Sequence, residues 1–171
     1  MSAMPRSSAP AGTPAILALR RAQIAHEVHS YHHNPRSDLG YGMEASRALG
    51  VEPNRVFKTL VTLADGVLVA AIVPVTGSLD LRALAQALGT RRAVMASVAQ
   101  AERATGYVVG GISPLGQRRA HPTVIDASAE RFATIFVSAG QRGLDIELAP
   151  RDLIATTGAL VATIARLDTS Y

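Results

Sequence analysis

Sixteen of the seventeen basic residues in this 171-residue chain are arginine. The exception, Lys58, stands inside an apolar run, Val56-Phe57-Lys58-Thr59-Leu60-Val61. A lysine in such a setting supplies what a planar guanidinium does poorly, a compact ammonium donor in a narrow pocket. The plainer reading is a surface residue whose stem covers apolar neighbours while its head reaches water. A second constellation is Gly106-Tyr107-Val108-Val109-Gly110-Gly111-Ile112-Ser113-Pro114-Leu115-Gly116, where paired glycines permit backbone shapes that turn amide groups toward an oxyanion or phosphate. A glycine-rich turn that only connects two elements reads the same way. The third, Phe136-Val137-Ser138-Ala139-Gly140-Gln141-Arg142-Gly143-Leu144-Asp145, delivers Ser138 to a small-residue turn.

Several chemistries are disfavoured. Neither Ser113 nor Ser138 sits in a G-x-S-x-G elbow, and His121 and Asp126 would complete a triad only by coincidence of folding. His26-Glu27-Val28-His29 falls one residue short of the H-E-x-x-H spacing that puts two metal ligands on one helix face, so His26, His29, His32 and His33 read as structural or surface groups and no metal is expected. Tyr31 and His33 would share one strand face at the edge of a pocket. No Walker loop or dinucleotide fingerprint is present, and no cofactor is expected. Cysteine is absent, so a nucleophilic sulfur would have to arrive with a substrate.

A net charge of +4 and a pI near 10.1 favour polyanionic partners such as RNA. The arginine pairs Arg20-Arg21, Arg91-Arg92 and Arg118-Arg119 fit phosphate contact or solvated charge equally. The apolar stretch from Val67 to Val75 is about half of what a membrane helix requires. Residues 1–14, rich in Ser, Ala and Pro without a signal-peptide core, read as a flexible tail on a cytoplasmic protein, with residues 15–167 as one domain and 168–171 as a second tail.

The elements that must position these residues follow from periodicity. Helices are expected from Pro14 to Ala25, capped by Thr13, from Gly42 to Leu49, closed by Gly50, from Ser78 to Leu88, stopped by Gly89, and from Pro150 to Thr157. Residues 55–63 and 67–75 form a hairpin around Asp65-Gly66. Shorter strands are expected at Val28–Tyr31, Ala93–Met95, Val108–Val109, Thr123–Asp126, Thr134–Val137, Leu144–Leu148 and Leu160–Ile164. Hairpins mixed with helices predict an α+β single domain with a mixed, strongly twisted, partly barrel-like sheet flanked by helices.

The three constellations, in order and spacing, closely resemble the YbaK-type aminoacyl-tRNA deacylases, over roughly Ile16 to Arg166. The resemblance implies an editing domain, related to the insertion domain of bacterial prolyl-tRNA synthetases, that hydrolyses mischarged Cys-tRNA(Pro) and often Cys-tRNA(Cys). It also implies that the substrate's own thiol attacks its ester, with no protein nucleophile and no cofactor. Carried over, Lys58, Gly110 and Ser138 are the catalytic positions, and Tyr31, Tyr41, Gly111, Ser113, Gly140 and Asp145 surround the substrate. Mischarged tRNA is the implied partner, with prolyl-tRNA synthetase as a further one; the oligomeric state stays open. Ala139 stands where close relatives often have glycine, and Gln141 where they often have a basic residue. Two rival readings are a deacylase for another mischarged tRNA, such as Ala-tRNA(Pro), and a noncatalytic tRNA-binding module.

Overall fold

The computed structural model describes residues 12–167, so the expected tails fall largely outside it. Helix α1 spans Pro14–Arg21; its Thr13 cap accepts from Ile16 N–H at 3.2 Å and donates its hydroxyl to Ala139 C=O at 2.5 Å. The helix stops short of the expected Ala25 because Gln23 turns to a positive φ of 55° and Ile24 N–H returns to Leu19 C=O. Strand β1, Glu27–Ser30, leads to helix α2, Tyr41–Leu49, which ends on left-handed Gly50.

The hairpin forms as expected. Strands β2, Phe57–Ala64, and β3, Val67–Pro74, pair antiparallel around Asp65-Gly66, both at positive φ as the tight hairpin turn requires. Strand β4, Gly77–Leu79, occupies the start of the segment expected to be helical; helix α3 begins only at Leu81, after Asp80 caps it through Ala83 N–H, and runs to Leu88. Strand β5, Ala93–Met95, pairs with the far end of β2, and helix α4, Val98–Thr105, follows. Sequence periodicity did not announce α4, although Ser97 and Gln100 form a reciprocal capping box.

The expected strand at Val108–Val109 is instead part of the loop from Gly106 to Ala120. Tyr107 anchors this loop, donating its hydroxyl to Leu115 C=O at 2.7 Å from a buried position. The rest comprises β6, Thr123–Asp126, the β7–β8 hairpin, Ile135–Gln141 and Leu144–Leu148, helix α5, Pro150–Thr157, and two short strands, β9, Leu160–Ala162, and β10, Ala165–Leu167. One strand, Leu160–Ile164, was expected where β9 and β10 lie. Buried Asp126 divides them: Oδ1 accepts from Ile164 N–H and Ala165 N–H, both at 2.9 Å, while Oδ2 accepts from Ser128.

The result is an α+β domain with a mixed five-stranded sheet in the order β5-β2-β3-β6-β9, a three-stranded sheet β1-β8-β7 and the β4–β10 pair. Strand β3 is central and covered on both faces, which explains its unbroken apolar sequence. Ile72 joins the larger core with Ile16, Phe57 and Ile146, whereas Val69, Ala71 and Val73 pack in a second core with Leu84 of α3. A parallel bridge between Val56 and Phe136 joins the two larger sheets.

Candidate functional site

That bridge aligns the chemistry. Bridged residues project to the same side, and side chains alternate with a period of two, so Lys58 and Ser138, each two residues beyond the bridge, share one face. Ser138 pairs with Asp145 across β7–β8, Asp145 pairs with His29 across β8–β1, and Tyr31 extends the same row, bonded through its N–H to Gly143 C=O at 2.9 Å. Lys58, Ser138, Asp145 and Tyr31 all line a cavity of about 340 Å³, together with Tyr41 and Gly110.

The remaining wall is mostly apolar, with Met43 and Ala45 of α2, Leu60 and Val61 of β2, and Ala101 of α4 among its members. Against that wall the polar groups stand out by lacking partners. Lys58 forms no ion pair among the described residues. Asp145 is 5% exposed and its carboxylate accepts no hydrogen bond from any described residue; burial pushes its pKa up from 3.8 to about 7. Burial, with the Asp145 charge second, pushes the Tyr31 phenol up to about 12, so it stays a neutral donor.

The glycine loop is pinned at the cavity edge. The Arg142 guanidinium donates to Val109 C=O at 2.9 and 2.6 Å and lies over the Tyr41 ring at 4.8 Å from its centroid. Gly110 adopts φ +90°, and a Cβ there would come within 2.7 Å of that ring, so glycine is required. The Gly110 N–H has no partner among the described residues, whereas Gly111 N–H is engaged by Val108 C=O.

Three expected substrate contacts lie outside the cavity wall. Ser113 is fully buried and its Oγ accepts from Leu115 N–H at 3.2 Å, which makes it a loop-folding residue. Gly111 packs against the backbone of Gln141 and Arg142. Gly140, at φ +98° with a would-be Cβ 2.5 Å from the Tyr107 ring, donates its N–H to Ser138 Oγ at 3.1 Å and so orients that hydroxyl. These three shape the site from behind.

A triad does not form: His121 bonds Gln117, and Asp126 is occupied by the backbone clasp. Glu27, His29 and Glu147 approach within 4.8 Å of one another, yet His29 and Glu147 bond each other at 2.9 Å and Glu147 also bonds Thr134 and Arg55. His33 bonds Glu44 at 2.8 Å and packs beside Tyr41, supporting the cavity edge without lining it. Sequence reasoning missed the contribution of Met95, Ala96 and α4 to the wall, because it left residues 98–105 without an element. It also assigned no role to Arg142 as the clamp on the loop, although an arginine next to the Ser138 turn was the available signal.

An apolar recess with one unpaired ammonium, one unpartnered carboxyl, a hydroxyl and a free amide fits a small, zwitterion-like ligand carrying a carbonyl. The aminoacyl-tRNA editing domain family matches residues 41–156. A protein of Enterococcus faecalis provisionally named Cys-tRNA(Pro)/Cys-tRNA(Cys) deacylase EbsC is 40% identical over 120 residues, covering 70% of this chain and 73% of that protein. The uncharacterized protein YwhH of Bacillus subtilis is 32% identical over 111 residues, covering 64% of this chain and 70% of that one. A solved structure described provisionally as a trans-editing enzyme for prolyl tRNA synthetase superposes with a TM-score of 0.81 at 23% identity, covering 94% of this chain and 99% of that chain. The hypothetical protein APE2540 gives 0.80 at 22% identity, with 90% and 100% coverage. At such identities the structural likeness is one of fold.

Proposed function

The chain belongs to the aminoacyl-tRNA editing domain family, and from that premise we propose that it is a deacylase that clears cysteine from mischarged Cys-tRNA(Pro), acting in trans. The observation that carries this reading is the row Lys58, Ser138 and Asp145 on one wall of a recess of about 340 Å³, with the Lys58 ammonium and the Asp145 carboxyl unpartnered among the described residues. Asp145 would ionise on receiving the substrate's α-ammonium, which supplies the cation its burial lacks. Lys58 would hold the terminal phosphate or ribose of the tRNA and offset charge at the ester. The Gly110 N–H would donate to the carbonyl oxygen as it becomes an oxyanion. Ser138, oriented by Gly140 N–H, would fix the acyl group.

With no cysteine in the chain and Ser138 Oγ hydrogen-bonded to the Gly140 amide rather than to any base among the described residues, the reading takes the substrate thiol as nucleophile. Its sulfur attacks the ester carbonyl as the bond to the ribose 3′-oxygen breaks; the thiol proton passes to that oxygen, and water then opens the thiolactone to cysteine. The site's contribution is proximity and orientation, which reach many orders of magnitude in well-placed intramolecular reactions. A synthetase pocket for a small side chain rejects a competitor of similar size poorly, which gives such an activity its use. Prolyl-tRNA synthetase is the corresponding partner and the cytoplasm the corresponding compartment; no helix among the described residues is long and apolar enough to cross a membrane.

A deacylation panel tests the reading. Purified protein should release cysteine from Cys-tRNA(Pro) well above the uncatalysed rate and act far more slowly on Ser-tRNA(Pro), whose hydroxyl is the poorer nucleophile. Equal rates on the two would exclude thiol assistance, and preferential release of alanine from Ala-tRNA(Pro) would reassign the substrate.

A further inference from the structure

Thr59 is a polar residue of the cavity wall that the proposed mechanism leaves unused. Lys58 and Leu60 share one face of β2, whereas Thr59 shares the other with Phe57 and Val61, the face that packs in one core with Ala101 of α4 and Ile112. Thr59 is 8% exposed, and its Oγ1 is buried without any hydrogen-bond partner. A hydroxyl left in that state opposes folding. Thr62, on the same strand, shows the usual solution, donating its hydroxyl to Val69 C=O at 2.9 Å.

The backbone around Thr59 is open as well. The ladder between β2 and β5 covers only Thr62 to Ala64, and Ala96 N–H bonds Val61 C=O at 3.1 Å just beyond it. By alternation, the N–H and C=O of Thr59 leave from that same edge, past the end of the ladder. A ligand in the cavity therefore meets Thr59 along an unpaired strand edge. Rotation between staggered χ1 wells exchanges its methyl and hydroxyl without moving the backbone. The wall residues around it, Phe57, Val61, Met95, Ala96 and Ala101, are apolar, and apolar packing excludes bulk but discriminates poorly between a thiol and a methyl group of similar size.

We propose that Thr59 is a specificity-determining residue whose hydroxyl hydrogen-bonds the side-chain heteroatom of the aminoacyl group, so that a thiol is held in preference to an isosteric methyl. This rests on the deacylase reading and extends it: Lys58, Gly110, Ser138 and Asp145 engage the ester and its ammonium, and Thr59 distinguishes the side chain.

The test compares wild type, Thr59→Val and Thr59→Ser. For each, KM for Cys-tRNA(Pro) is measured against the inhibition constant of 2-aminobutyryl-tRNA(Pro), in which a methyl replaces the thiol, along with the thermal midpoint. Wild type should favour cysteine by about tenfold or more, a margin of the size a paired polar contact provides. Thr59→Val should raise KM for cysteine until the two constants are nearly equal, with no fall in thermal midpoint, because no protein hydrogen bond is lost. Thr59→Ser should keep the preference. A Thr59→Val enzyme that retains it, or that loses thermal stability with the ratio unchanged, would overturn the assignment and leave Thr59 as packing. Failure of wild type to release cysteine at all would overturn the deacylase reading itself, and the role of Thr59 with it.

Discussion

Two aspartates in this molecule are buried to the same extent, at 5% exposure, and meet opposite fates. Asp126 ends β6 and is fully used, accepting from Ile164 N–H, Ala165 N–H and Ser128 to fix the passage from β9 to β10. Asp145 lies on β8 beside the cavity and accepts from no described residue. A buried polar group without a partner is costly and needs an explanation. Depth alone therefore does not identify a site. What separates the two regions is whether the fold itself completes the hydrogen bonding: it does around Asp126, and around the cavity Lys58, Asp145, Thr59 Oγ1 and Gly110 N–H have no partner among the described residues.

The largest expected effect lies on the open side of this contrast. Lys58→Ala should lower deacylation of Cys-tRNA(Pro) by about a thousandfold, as loss of a charged contact to the reacting group does, while the thermal midpoint stays put because no ion pair is broken. Retained turnover would return Lys58 to the role of surface residue. On the closed side, Asp126→Ala should cost about 3 kcal/mol in denaturant unfolding by stranding the Ile164 and Ala165 amides. A loss under about 1 kcal/mol would mean that the clasp is not what distinguishes the two aspartates.

Asp145→Asn should raise KM about tenfold through loss of the charge that meets the ammonium, without destabilising the fold. Its effect on pH dependence has a definite sign. The folded pKa, about 7, exceeds the reference value of 3.8, so between these values the native state holds a proton that the unfolded chain has released. The corresponding stability is fully present below about pH 4 and is lost as pH rises through about 7. Denaturant midpoints at about pH 5 and about pH 8 should fall with pH in wild type and less so in Asp145→Asn; equal slopes would place the carboxyl in an ordinary environment. The smallest effect is expected from Arg142→Ala. It removes the clamp on Val109 and the cation over Tyr41, and should raise KM by about threefold, in line with a partly exposed cation–π contact.

Much of this contrast was legible in the chain itself. The β2–β3 hairpin follows from Asp65-Gly66, and the cavity row was visible as a lone lysine, a serine before small residues and an aspartate on the next strand. Three things were hidden because they depend on pairing between distant segments. The Val56–Phe136 bridge aligns Lys58 with Ser138 across eighty residues, a register no local pattern encodes. The resemblance put Ser113 beside the substrate, but Tyr107 folds the loop inward and Ser113 is buried. Val108 and Val109 have strand propensity, yet no described strand pairs with them, and the loop's own hydrogen bonds prevail. Residues 98–105 follow a capping box at Ser97 but offer only Val98 and three alanines as apolar residues, so their helix, and with it one wall of the cavity, went unread.

The most direct test follows the Asp145 carboxyl itself by carbon-13 NMR through a pH titration, with and without an amide-linked analogue of 3′-cysteinyl adenosine. The free protein should titrate near 7, and the bound analogue should move that midpoint well down into the ordinary carboxylate range as its ammonium pairs with the ionised group. An unchanged midpoint with the analogue demonstrably bound, or an ordinary carboxylate pKa in the free protein, would contradict the view that this cavity was left open for an aminoacyl ester.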